Sequence, residues 1–102
     1  MTRSIAFHPD AVEELDAAEA WYEQLQSGLG SDFREEIRVA LERLSEPPDA
    51  STPVPGVILV RRVFIKRFPY AIVFDTEGDT VRVWAVAHTS RRPGYWRRRA
   101  KA

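Results

Sequence analysis

The sequence predicts a small α+β protein in the order β-α-α-β-β-β, with a helical hairpin packed on one face of a mainly antiparallel four-stranded sheet. Three observations predict it. A short alternating run near the N-terminus precedes two stretches with the 3.6-residue period of amphipathic helices. Those two stretches are joined by Ser27-Gly28-Leu29-Gly30, a connection short enough to fold them back on each other. After the proline-rich segment 47–56 the period drops to two, with β-branched and aromatic residues in three successive runs. A length of 102 residues suits one domain, residues 1–102, able to bury a core without staples.

The first strand is Ser4–Phe7, apolar at Ile5 and Phe7 with polar alternates. Pro9 suits the first helical position, and Asp10 and Glu13 suit the positive end of a helix dipole. Ala11, Leu15, Ala18, Tyr22 and Leu25 then fall on one narrow stripe, and Glu13, Asp16 and Glu23 on the opposite face, predicting a helix over about residues 9–27. Gly28 reads as its C-cap, and Gly30 or Ser31 as the start of the next helix. Phe33, Ile37, Ala40 and Leu44 repeat the stripe until Pro47-Pro48, which cannot continue a helix. Strands are expected at about 58–66, 70–76 and 80–88, with Glu77-Gly78-Asp79 as a hairpin turn and Pro69 at a strand start. Strict alternation in the last strand puts Val81, Val83, Ala85 and Ala87 on one face, against the helices. It puts Arg82, Trp84, Val86 and His88 on the other, expected to be open or partly open and basic, with the C-terminal tail near it.

The net charge of zero conceals a segregation. Residues 1–50 carry four arginines against twelve carboxylates, a balance of −8; residues 51–102 carry eleven Lys/Arg against three, a balance of +8. That asymmetry predicts an acidic or polyanionic partner for the second half, unless the halves neutralise each other across the fold. The basic C-terminal tail, about 90–102, concentrates the excess in Arg91, Arg92, Arg97, Arg98 and Arg99. No cysteine is present, no apolar run reaches the roughly 18–20 residues of a membrane span, and no secretory leader pattern opens the sequence. A cytoplasmic protein is expected, with no membrane association. No CxxC, HExxH, GxSxG or phosphate-cradling glycine loop occurs, so neither metal nor cofactor is expected.

The wording AEAWYEQLQSGLGSDF across the helical turn, RRVFIKRFPYAIVF across a hairpin and AVAHTSRRPGYWRRR at the end resembles that of the RelE/ParE toxins of bacterial type II toxin–antitoxin systems. The resemblance covers nearly the whole chain and leans to the ParE-like side, the plasmid-stabilisation proteins. It implies a growth-inhibiting toxin neutralised by a small cognate antitoxin. The implied target is DNA gyrase for ParE-like members, or messenger RNA on the ribosome for RelE-like endonucleases; a non-toxic nucleic-acid-binding or degenerate member is the further alternative.

RNA-cleaving relatives use sheet cations with a His or Tyr near the C-terminus. The matching residues here are Arg61, Arg62, Lys66, Arg67, Arg91 and Arg92, with His88 and Tyr95 as acid–base candidates. Arg82, Arg97, Arg98 and Arg99 complete the expected target-binding set. Tyr95 stands in the wording PGYW, which differs from that of the RelE-like relatives. His88 reads equally as a strand-end structural residue, Tyr95 and Trp96 as pins for the tail, and the arginines as solvated strand edges or antitoxin contacts. Trp21, on the margin of the first helix's stripe, is the candidate antitoxin anchor, or else a flank of the core.

Overall fold

The computed structural model describes residues 3–44, 52–53 and 59–100. Its elements are β1 (Ser4–Phe7), α1 (Pro9–Leu25), α2 (Leu29–Leu44), β2 (Thr52–Pro53), β3 (Arg61–Phe64), β4 (Tyr70–Glu77), β5 (Thr80–His88) and α3 (Arg97–Ala100). The strands form a sheet in the order β1-β5-β4-β3-β2, with β1 parallel to β5 and every other pair antiparallel. The four expected strands and the helical hairpin are all present; the two-residue β2 adds a fifth strand at the edge. The expected helix stop at Pro47-Pro48, the start of the strand expected at 58, and most of the loop 47–56 lie outside the described residues.

Each helix begins and turns as its residues dictate. His8 accepts the backbone N–H of Asp10 through Nδ1, capping α1, with Pro9 in its first turn. The Glu23 carboxylate reaches forward to accept the N–H groups of Gly28 and Gly30, two of the free donors at the start of α2. Gly30 is where the hairpin closes: a Cβ there would lie 2.6 Å from the Glu19 carbonyl oxygen, so only glycine lets the helices approach this closely. Across the same gap Arg34 bridges Asp16 and Glu19.

The main core lies between the hairpin and one face of the sheet. Ala11, Leu15 and Ala18 of α1 and Phe33, Ile37, Ala40 and Leu44 of α2 meet Val63, Ile72, Phe74, Val81, Val83 and Val86. At one end Tyr22, Phe33, Phe68 and Tyr70 pack as an aromatic cluster, with ring centres 4.8–6.2 Å apart.

The last strand departs from strict alternation. Val73 faces Ala85 and Phe74 faces Val83, so Trp84 is an extra residue in β5, a β-bulge. One extra residue reverses the parity of every side chain beyond it. Val81 and Val83 face the helices as expected, but Ala85 and Ala87 turn to the back face, and Val86 takes their place in the main core. His88 follows Val86, and its ring stands edge-on to Tyr70. The back face is partly open, with the tail on it as expected. The chain after β5 folds under the sheet, and Trp96, 4% exposed, packs on Val60, Val73 and Ala85.

Candidate functional site

Beyond Phe7 the chain leaves the sheet for α1, so β5 loses its parallel neighbour at the bulge. Backbone groups stranded there must find partners. Glu14 of α1 supplies one: its Oε1 accepts the Val86 N–H at 3.0 Å. Arg99 of α3 supplies another, donating to the Trp84 carbonyl at 3.0 Å. The two side chains also meet each other through two bonds, Nη1 to Oε1 at 2.8 Å and Nη2 to Oε2 at 3.0 Å. The Tyr95 hydroxyl donates to Oε2 at 2.7 Å. Burial first, and then the bond to the Glu14 carboxylate, push the Tyr95 phenol well above its ordinary range. This latch fixes the tail against the body and so sets the shape of the back face.

Between the latched tail and the uncovered part of the back face lies a groove of about 530 Å³. Its floor is Ala71, Val73 and Ala87; Phe64 and Tyr95 are among its walls; Arg62, Arg91, Arg92 and Arg97 line it, and His88 stands at its end. Gly94 shapes the tail's turn. It sits at φ +79°, and a Cβ there would lie 2.7 Å from Arg97 Nε. The Arg62 guanidinium lies 5.4 Å from the centre of the Phe64 ring, and that of Arg91 only 3.9 Å from the Tyr95 ring.

Six of the residues singled out in the sequence thus share one groove: Arg62, His88, Arg91, Arg92, Tyr95 and Arg97. The others are elsewhere. Arg82 is held by Asp75, through two bonds of 2.7 and 2.8 Å, and by Glu77. Arg67, at φ +71°, pairs with Asp32 at the start of α2 and covers the Phe68 ring. Arg99 is spent on the latch. Arg61 opens β3 opposite Phe74, while Lys66 and Arg98 are exposed outside the groove. Trp21 is 58% exposed on α1, outside the core.

The histidine is tied locally. His88 Nδ1 accepts the Ser90 N–H at 3.0 Å and lies 2.8 Å from Ser90 Oγ. With Nδ1 accepting, the neutral ring carries its proton on Nε2. Glu14 is the site residue that sequence reasoning missed, since the acids of α1 read as a solvated face. The available signal was angular: Glu14 falls only about 60° from Ala11 on the helix wheel, beside the buried stripe. Among the described residues no cluster of His, Cys, Asp or Glu could hold a metal ion, and no helix is long and apolar enough to cross a membrane.

Comparison with known proteins adds the following. The family model for the ParE toxin of the type II toxin–antitoxin system, parDE, matches residues 5–93. Among solved structures, a chain of the chromosomal ParDE TA system from P. aeruginosa shares the fold. It matches with a TM-score of 0.70 at 18% identity, over 87% of this chain and 98% of that one. No curated protein matches significantly.

Proposed function

Because this chain belongs to the ParE toxin family of type II toxin–antitoxin systems, we propose that it arrests growth by binding DNA gyrase in the cytoplasm and cleaves no RNA. As the toxin component of such a module it has a cognate antitoxin as partner. The observation that carries the non-enzymatic reading is the commitment of the Tyr95 hydroxyl to the latch. General catalysis needs a group free to exchange a proton near the working pH. The Tyr95 phenol is bound to Glu14 and raised further from neutrality. His88 is held at Nδ1 by Ser90, with its ring edge-on to Tyr70, which leaves Nε2 as the one acid–base atom of the pair, with no second candidate to work beside it.

One observation favours a second reading, an endonuclease of RelE type. Four arginines and His88 line a single groove, and these are the residue types that neutralise a phosphorane and move protons in RNA cleavage. Two assays run together separate the readings, inhibition of gyrase supercoiling and primer extension on cellular messages, each with wild type, His88→Gln and Tyr95→Phe. Inhibited supercoiling with intact messages, retained in both variants, is expected. Message cleavage that falls by roughly 10²-fold or more in either variant would transfer the function to RNA.

A further inference from the structure

Nine arginines of this protein divide into two sets. Five have carboxylate partners: Arg34 with Asp16 and Glu19, Arg38 with Glu35 and Glu42, Arg67 with Asp32, Arg82 with Asp75 and Glu77, Arg99 with Glu14. The four that line the groove differ. Among the described residues, Arg62, Arg91, Arg92 and Arg97 have no carboxylate within ion-pair distance, and no Asp or Glu lines the groove. The sequence has as many carboxylates as cations, so the deficit is one of placement. Like charges gathered on one concavity raise the local potential and concentrate anions there. Arg62 adds a second sign, since its Nε is buried without an acceptor.

The walls narrow the chemistry of the anion. The floor is made of small apolar side chains, Ala71, Val73 and Ala87. Phe64 stands beside it with 52% of its surface exposed, an aromatic ring available to a partner. A guanidinium lies over each of two wall rings, Phe64 and Tyr95. Apolar surface, an exposed ring and arginines without carboxylate partners together suit a stacking platform beside a phosphate track. We infer that the groove binds single-stranded nucleic acid, with a base over Phe64 and the alanine–valine floor and phosphates on Arg91, Arg92 and Arg97. A duplex keeps its base faces stacked inside and offers the groove phosphates alone. An acidic peptide matches the charge but has no flat face for Phe64. This binding belongs to the isolated protein and does not depend on gyrase being the target, so a negative gyrase assay leaves it standing.

Fluorescence anisotropy of the full chain tests it, with a labelled oligothymidylate of about twelve nucleotides, within the usual site sizes. The comparators are a blunt duplex of the same length and a glutamate-rich peptide. The oligothymidylate should bind tighter than both. Three phosphate contacts on a single strand predict a roughly eighteenfold loss of affinity between about 50 and about 200 mM salt, and only roughly threefold for Arg91→Ala/Arg92→Ala. Phe64→Ala should weaken binding roughly tenfold, and Arg38→Ala, on the far side of the molecule, should not change it. Circular dichroism verifies that each variant is folded. If Phe64→Ala misfolds, Phe64→Leu keeps apolar bulk without a stacking ring and reads the same loss. No binding, a duplex or peptide that binds as tightly as the oligothymidylate, or full affinity in the folded Phe64 variants would each overturn the assignment.

Discussion

At the scale of single residues, Glu14 does most to join distant parts of the chain. Its two oxygens receive the Val86 N–H, the Tyr95 hydroxyl and both ends of the Arg99 fork, across more than seventy residues of sequence. The Glu14 and Arg99 side chains keep only 16% and 15% of their surface exposed, so their charges are largely desolvated. Removing one partner of such a pair leaves the other charge buried and unmatched, which costs more than the pair contributes. Glu14→Gln keeps the size of the side chain and removes only its charge. It should therefore destabilise by about 3 kcal/mol, the low end for breaking a buried pair, because Asp10 remains 3.6 Å from Arg99 Nε. Urea unfolding measures this, and a double-mutant cycle with Arg99→Met isolates the coupling. A Glu14→Gln protein as stable as wild type would mean that the latch rests on Trp96 packing alone.

At the scale of elements, what could be read from the sequence followed from periodicity. The two helical stripes and the alternating runs are local patterns, and α1, α2, β4 and β5 lie within two residues of their expected bounds where the structure describes them. The bulge at Trp84 could not be read this way, because a bulge is defined by its partner strand and leaves the composition of its own strand unchanged. One trace of it existed. Strict alternation places Val86, β-branched and apolar, on a face that otherwise carries arginine, tryptophan and histidine. The groove was half legible for the same reason. The sequence marked Arg62, Arg91, Arg92 and Arg97 as cations, but only the fold shows that they line one concavity while Arg67, Arg82 and Arg99 are answered by carboxylates. On α1 the wheel placed Trp21 on the margin of the core stripe. The structure exposes Trp21 by 58% and Leu25, one turn on, by 60%. Two large apolar side chains at i and i+4 on a solvent-facing helix edge form a small anchor, and we propose that the antitoxin covers it. Trp21→Ala removes little that the fold uses, so stability should change by no more than about 0.5 kcal/mol. Toxicity should persist while protection by co-expressed antitoxin is lost. Full protection of the variant would remove α1 from the antitoxin interface.

At the scale of the whole molecule, the charge segregation of the sequence becomes spatial. The acidic half is the helical hairpin and the basic half is the sheet with its tail, and between them lie the three tyrosines of the chain. Tyr22 and Tyr70 belong to the aromatic cluster at one end of the core, and Tyr95 to the latch. All three phenols are raised above the ordinary 10.0, chiefly by burial, with Glu14 adding to the shift at Tyr70 and Tyr95. A folded-state value above the unfolded one means that the fold favours the neutral phenol. Its contribution to stability is whole below pH 10 and is lost as pH rises through the folded values. At the acid end the sign reverses. Hydrogen bonds from Arg34 and Arg38 hold Glu19 and Glu35 below their ordinary 4.5, so that contribution is present above 4.5 and fades as pH falls through the lowered values. Thermal stability should therefore form a plateau between these limits and fall on both sides. On the alkaline side, near-ultraviolet absorbance should show fewer than half of the tyrosines ionised at pH 10, where a free tyrosine is half ionised. The last of the three to ionise should be Tyr95, the most strongly raised. Half or more of the tyrosines ionised at pH 10 while the dichroism stays native would mean that the phenols are open to water, and that neither the aromatic cluster nor the Glu14 latch is closed in solution.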